Sequence, residues 1–152
     1  MFRTKILALF LLALTGFTAC KGEAPPAEVY EAGDKFIERL KKGEYDIIYS
    51  DASDLLKEKL TRVAAIEEMK KIAAVGRIQD YKRTNMSVGV ENGKSFASPV
   101  YGVAFENSSG QSSGQLTLQF VDVGGNWKLS GFGATTRGGR QAPPSPVPTP
   151  QS

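Results

Sequence analysis

At Gly76 the apolar residues of this chain change their spacing from about 3.6 residues to 2, and that switch constrains the fold more than any other feature. Before it, Val29, Gly33, Phe36, Ile37 and Leu40 recur at helical intervals, with Glu31, Asp34, Lys35, Glu38 and Arg39 on the other face. The spacing predicts a helix from Ala27, ended by Gly43 after two lysines suited to a helix C-terminus. A second helix is expected from Tyr45 to about Leu60, with a break near Asp51 to Ser53. Tyr45, Ile48, Tyr49, Ala52, Leu55 and Leu56 would form its apolar side. Thr61 reads as the N-cap of a third helix, with Ala65, Ile66, Met69, Ile72 and Ala73 as its stripe and Gly76 as its stop.

After the switch, a first strand is expected within Arg77 to Val90. Asn92-Gly93 is a strong hairpin signal, because both central residues of a type I′ turn need positive φ. A second strand follows around Phe96 to Glu106, with Tyr101, Val103 and Phe105 on one face. Asn107 to Gly114 (NSSGQSSG) reads as a flexible hairpin loop. Leu116, Leu118 and Phe120 alternate on a third strand, and Gly124-Gly125-Asn126 turns it into a fourth, where Trp127 and Leu129 share a face. Trp127 is expected to be a core anchor, as a strand tryptophan usually is. Three helices followed by a four-stranded antiparallel meander is an α+β order, best buried with the helices on one face of a curved sheet. This unit is expected to occupy residues 27–136.

The two ends read differently. Arg3 and Lys5 precede Ile6 to Ala19, an uncharged and mostly apolar run. It is too short for a bilayer core, which needs about 20 apolar residues. Phe17-Thr18-Ala19-Cys20 follows, and it resembles a bacterial lipobox, although Phe17 stands where that family prefers Leu. The resemblance implies a signal peptide over residues 1–19 and diacylglycerol on the Cys20 sulfur. Two or three acyl chains of the palmitate type would then anchor the protein, whereas one chain holds a protein only marginally. Residues 20–26, with Gly22, Pro25 and Pro26, read as a lipidated tether. Lys21 after the cysteine, where Asp would mark inner-membrane retention, favours the outer membrane, facing the periplasm, if the cell is Gram-negative. From Arg137 to Ser152 the Arg-Gly-Gly-Arg and Pro/Ser/Gln run reads as a disordered tail.

Charge and composition narrow the functional classes. The net charge is +3, but Arg3 and Lys5 belong to the leader, leaving 17 of the 19 basic residues against 16 acids from Cys20 onward. A nearly neutral chain lacks the broad positive field that captures phosphate backbones, so nucleic acid is set aside as a partner. There is no histidine. This removes the commonest neutral-pH general base, the Ser-His-Asp and Cys-His arrangements, and the usual zinc ligand. A single cysteine permits no internal disulfide.

Gly43-Glu44-Tyr45-Asp46-Ile47-Ile48-Tyr49, Val75-Gly76-Arg77 and, most specifically, Asn126-Trp127-Lys128-Leu129-Ser130-Gly131-Phe132 carry a second resemblance. About Val29 to Thr136 is similar to small exported bacterial domains of the nuclear-transport-factor-like, cystatin-like α+β cone superfamily. That likeness implies a cone whose helices and concave sheet enclose a pocket. It does not imply an activity, because the superfamily hosts isomerases, dehydratases and non-catalytic modules. Some enzymes on this fold pair an Asp base with a Tyr that polarises a carbonyl.

Here Tyr45, Tyr49, Tyr81 and Tyr101 offer hydroxyls, and Asp46, Asp51, Asp54, Asp80 and Asp122 offer carboxylates, with no spacing that joins a pair. Tyrosines on apolar faces are expected in the core with hydroxyls at its rim, and Asp51 and Asp54 beside Ser53 as helix-terminal groups. Lys57, Lys59, Arg62, Lys70 and Lys71, interleaved with Glu58, Glu67 and Glu68, read as a solvated helix surface. Gly124-Gly125 and Gly131-x-Gly133 open no helix after a strand, so no phosphate cradle is indicated. No catalytic, cofactor or metal residue is singled out, and Cys20 is the one modification site. The expected function is a non-enzymatic, lipid-anchored envelope module that binds an envelope protein or a small apolar ligand. The alternatives are a metal-free pocket enzyme with isomerase- or dehydratase-like acid–base chemistry, and a structural module that forms homodimers through its sheet.

Overall fold

The computed structural model describes residues 26–137; the leader, Cys20, the tether up to residue 25 and the tail from residue 138 lie outside the described residues. Four helices come first: α1 (Ala27–Lys42), α2 (Tyr45–Asp51), α3 (Asp54–Lys59) and α4 (Arg62–Ala74). Four strands follow: β1 (Arg77–Glu91), β2 (Lys94–Asn107), β3 (Gly110–Val123) and β4 (Asn126–Arg137). The strands form one antiparallel sheet in the order β1-β2-β3-β4. The architecture is thus α+β, with the helices ahead of the sheet in the chain.

α1 buries the stripe its spacing foretold: Val29, Gly33, Phe36, Ile37 and Leu40. At its end the Gly43 and Glu44 N–H groups donate to the Leu40 and Arg39 carbonyls, satisfying acceptors the last turn leaves open. The expected second helix is two helices, so there are four rather than three. The chain is extended at Ala52 and Ser53. The cause lies 76 residues away. Both the Ser53 N–H (2.9 Å) and its hydroxyl (2.8 Å) donate to the Leu129 carbonyl on β4. Ser53 Oγ also accepts from the Leu56 N–H at 3.4 Å and so caps α3. β4 is an edge strand, and its carbonyl gains two donors only if the helix opens there. Thr61 caps α4 as expected, accepting from the Ala64 N–H at 3.3 Å.

In the sheet, Asn92 (φ 51°) and Gly93 (φ 74°) both take the positive φ that the hairpin requires. β1 departs from simple alternation because it carries two bulges, between Ile78 and Asp80 and between Arg83 and Asn85. Each extra residue moves the next side chains to the other face. Tyr81, Arg83, Met86 and Val88 therefore lie opposite Val103, Tyr101, Pro99 and Ala97, on the helix-covered face. The Ser/Gly-rich NSSGQSSG segment is not a long loop. β2 runs to Asn107 and β3 starts at Gly110, leaving Ser108 and Ser109 as the turn. Asn107 stabilises it, accepting from the Ser109 N–H (2.9 Å) and donating to the Val75 carbonyl (2.9 Å). Small residues suit this stretch: a Cβ at Gly114 would lie 2.6 Å from the Thr135 carbonyl oxygen. Position in the sheet overrides their weak strand propensity.

The core lies between helices and sheet, with Ile37, Leu40, Leu56, Met69, Tyr101, Phe105, Leu116 and Leu118 fully buried. Trp127 is not the anchor its alternation suggested. It faces the helices beside Leu129 but is only partly buried, packed against the edge of the core. The centre of the β3–β4 pair is filled instead by Leu116, Leu118 and Phe120.

Ser53→Ala should lower stability by about 1–2 kcal/mol, the size of a lost cap together with a buried hydrogen bond. Urea unfolding followed by circular dichroism measures it, and an unchanged midpoint would refute the tie between the helix break and β4.

Candidate functional site

α1 carries a second stripe beside its buried one. Glu28, Glu31, Ala32, Lys35, Phe36 and Arg39 follow one another at alternating steps of three and one, and so share one flank of the helix. That flank faces the start of β4 and the end of α2, and a depression of about 280 Å³ lies between them. Its floor is apolar: Ala32 and Phe36 from α1, Ile48 from α2, Phe120 from β3, and Trp127 and Leu129 from β4. Its rim is charged: Glu28, Glu31, Lys35 and Arg39 from α1, Asp51 from α2 and Lys128 from β4. At about 30 Å³ per water this space suits a single ring, a short chain or one inserted side chain, and it sits at the small end of ligand sites.

The rim is electrically polarised. Arg39 Nη1 donates to Asp51 Oδ2 at 2.6 Å. That hydrogen bond holds the Asp51 carboxyl below its usual range, with added attraction from Arg39, Lys35 and Lys128. Three cations thus gather around one carboxylate at this end, while Glu28 and Glu31 sit at the other. Trp127 is placed where an aromatic ring can stack on a ligand over the apolar floor. Its partial burial is what makes it available.

A second polar cluster lies under α1, nearer the middle of the sheet. Tyr101 is fully buried, and its ring passes directly beneath Gly33. A Cβ at position 33 would lie 2.9 Å from the Tyr101 Cζ and closer still to its hydroxyl. The Tyr101 hydroxyl is buried next to Asp34, and beyond that pairing neither the hydroxyl nor the buried Asp34 Oδ1 has a hydrogen-bonding partner. Asp34 Oδ2 accepts from Arg83 Nη2 at 3.2 Å, and the Arg83 guanidinium stacks 4.5 Å from the Tyr30 ring centre. Tyr81 meets Tyr101 edge-on at 6.0 Å. Burial first, then the Asp34 charge, pushes the Tyr101 phenol well above its usual value, and the same two causes raise Tyr81. This Asp–Tyr juxtaposition is the kind that favours acid–base chemistry. However, Tyr101 is sealed from solvent, and neither residue lines the groove or four further depressions among the described residues.

The other sequence candidates are dispersed. The Tyr49 hydroxyl donates to the Leu60 carbonyl at 3.0 Å, and Asp46 pairs with Arg62. Asp54 stands in the first turn of α3. Asp80 Oδ1 accepts from the Tyr81 N–H, and Asp122 Oδ1 from the Gly125 N–H, where each shapes local backbone. Lys70–Glu67 and Lys71–Glu68 are exposed pairs one turn apart on the solvated face of α4. Asp34 was missed because its helix position assigns it to the polar side. Only the packing of α1 on β1 and β2 brings Arg83 and Tyr101 to it. Among the described residues, no three acidic or cysteine side chains converge as a metal site would require. The sheet face turned away from the helices mixes polar residues (Lys82, Thr84, Gln115, Thr117) with apolar ones (Phe96, Val100, Ala104).

No family model matches the chain, and comparison with curated proteins finds no significant match.

Gly33→Ala should destabilise the fold by about 1–3 kcal/mol through overpacking, despite the better helix propensity of Ala. Adding Tyr101→Phe should recover part of that loss, because it removes the atom nearest the new methyl. Tyr101 also sets a pH signature. Its folded pKa is raised, so its contribution is constant below about pH 10. Above that, the unfolded chain releases the phenol proton first and stability falls. Tyr101→Phe should flatten this alkaline decline in urea midpoints, and a decline of unchanged steepness would refute the assignment.

Proposed function

We propose that the chain is a lipid-anchored envelope lipoprotein, acylated on Cys20, whose domain is a non-enzymatic binding module. The groove between α1 and β4 is its binding site. The observation that carries this reading is the groove itself: an aromatic floor of Phe36, Phe120 and Trp127 under a charged rim. Phe36 and Phe120 are buried at its base and Trp127 is left partly exposed, and aromatic surface left open to water favours a ligand that covers it. The preferred occupant is a small apolar group, or an apolar side chain of an envelope protein, carrying a polar end that the rim can orient. The leader, the Phe17-Thr18-Ala19-Cys20 segment and the short tether support the anchoring half of the proposal. The helix-covered antiparallel sheet is compatible with the cystatin-like cone, which we adopt as the fold family on the strength of the Asn126 to Phe132 segment.

One observation favours a second reading. Asp34 beside the Tyr101 hydroxyl is a carboxylate–phenol pair in a low-dielectric setting, as a metal-free acid–base enzyme would need. Its sealed position argues for the binder, since a reacting substrate needs access to the phenol oxygen.

Two measurements test the proposal. Cys20→Ser should release the protein from membranes or leave it as unprocessed precursor, and membrane fractionation identical to wild type would overturn the anchor. For the groove, thermal shift and native mass spectrometry against small aromatic and short aliphatic compounds should find ligands that raise Tm. A ligand at about 100 times Kd would add about 2.7 kcal/mol. Trp127→Ala should abolish that gain while leaving the fold intact. Reproducible isomerase or dehydratase turnover, lost in Asp34→Asn or Tyr101→Phe at unchanged stability, would replace the binder by the enzyme.

A further inference from the structure

Among the described residues, five large apolar side chains are strongly exposed, and three of them, Val88, Val90 and Val123, lie towards one end of the sheet. Strand direction and register place them there. β1 and β2 turn at Asn92-Gly93, and β3 and β4 turn at Gly124-Gly125. Phe96 pairs with Val121, so two residues further on Lys94 comes level with Val123, and the two hairpin tips end flush. Val90 and Val123 lead, on opposite faces of the sheet. Val88 lies on the same face as Val90 and about 7 Å behind it, two residues at strand rise. Charges at this end are balanced, Glu91 and Asp122 against Lys94 and Lys128.

The start of α1 is at the same end. Glu28, in its first turn, lines the groove together with Trp127 and Phe120, which stand a few residues from the β3–β4 turn. Only residues 21–26 separate Ala27 from Cys20. Seven residue steps reach about 25 Å at full extension, and less with Pro25 and Pro26 in the path. A lipid on Cys20 would therefore hold this end of the sheet close to the bilayer surface, while the β2–β3 turn points away.

We propose that the two hairpin tips are a second membrane contact, in which Val90, Val123 and, behind them, Val88 enter the interfacial region of the lipid to which Cys20 is anchored. This proposal rests on the lipoprotein reading for its orientation. An apolar surface docks about 5–10 Å into the headgroup and acyl boundary, which is enough to take in the leading valines and reach the third. Because the tip charges balance, the contact is apolar and does not require anionic lipid. The contact would set the domain upright and bring the groove, with Trp127 in its wall, beside the membrane. The groove's occupant would then be drawn from molecules at that surface.

The chain supplies its own probe. Trp127 is its single tryptophan and Cys20 its single cysteine. All the described helices and strands lie between Ala27 and Arg137, so the chain from Cys20 onward retains the whole core. That chain is coupled through Cys20 to a maleimide phospholipid in phosphatidylcholine vesicles containing acyl-brominated lipid, and Trp127 fluorescence is read. The expected result is quenching of Trp127 in the wild type that is unchanged by added phosphatidylglycerol or salt. Quenching should be lost in the Val88→Asp, Val90→Asp, Val123→Asp triple variant, with Val→Ser replacements as a milder check and circular dichroism to verify the fold. Wild-type emission that is unquenched, or quenching that survives in the folded triple variant, overturns the proposal. So does a vesicle-free dimer that the same variants dissociate, since the tips would then serve a second copy of the chain. Mass spectrometry of the protein from bacterial membranes reads Cys20 acylation separately. Unmodified Cys20 sinks the anchor and with it the membrane orientation proposed here, whereas acylated Cys20 without quenching sinks the tip contact alone.

Discussion

The contact of Gly33 with Tyr101 sets the distance between α1 and the sheet, and much of the molecule depends on it. Gly33 is the one residue of the buried α1 stripe without a side chain, and the Tyr101 ring fills the space that a Cβ would need. A glycine inside a helix costs about 1 kcal/mol relative to alanine. Here that cost is offset by close packing, since a large aromatic ring is buried where α1 crosses β2. With α1 held at this distance, Phe36 reaches Phe132 at 5.8 Å between ring centres, and Ile37 and Leu40 close over the core. The same approach buries the Tyr101 hydroxyl beside Asp34, away from any other polar partner. Dense packing and an isolated polar pair are two consequences of a single geometric choice.

A second long-range tie complements the first. Ser53 joins the break between α2 and α3 to the Leu129 carbonyl, fastening the short helices to an otherwise open strand edge. Between these two ties, α1 on one side and α2 on the other diverge enough to leave the groove. Its floor is core that nothing covers, and its rim is the polar flank of α1. The groove therefore does not need dedicated residues: Phe36, Ile48, Phe120 and Leu129 are core residues whose outer edges remain accessible. Trp127 is the exception. It contributes to the core from its margin and gives the site its largest aromatic surface.

The end of the sheet nearest the start of α1 concentrates the unusual surface features. The two bulges in β1 offset each other, so Val88 and Val90 lie on the same face as Ile78, which the helices cover elsewhere, but the helices do not extend that far. An amphipathic strand thus outruns its cover. The apolar periodicity that builds the core further down β1 produces the exposed Val88 and Val90 at its tip. Proximity to the tether gives those valines a physical partner in the proposed anchored state, and it links the groove to the same surface.

The sequence by itself determined the class of fold, because helical and strand periods are local properties of apolar spacing. The switch at Gly76, the Asn92-Gly93 turn and the caps at Thr61 and Gly43 each state a local geometry, and each occurs where the residues require it. Whatever depended on a distant partner was decided only by the tertiary structure. The break expected near Asp51 to Ser53 is there, but its partner is not written within residues 45–60: β4 offers the Leu129 carbonyl to which Ser53 is tied. The Ser/Gly segment after Asn107 is strand because it pairs with β2 and β4, where Gly114 fits against the Thr135 carbonyl, although its composition resembles a loop. β1 shifts face twice through bulges that alternation alone does not register. For the same reason the groove was illegible: Phe36, Trp127 and Phe120 each announce an apolar face, but which edges remain uncovered depends on how closely α1 lies on the sheet. Asp34 likewise reads as a polar helix residue until Tyr101 and Arg83, far along the chain, are brought beneath it. Local chemistry specifies elements, and the packing of elements with separate origins specifies sites.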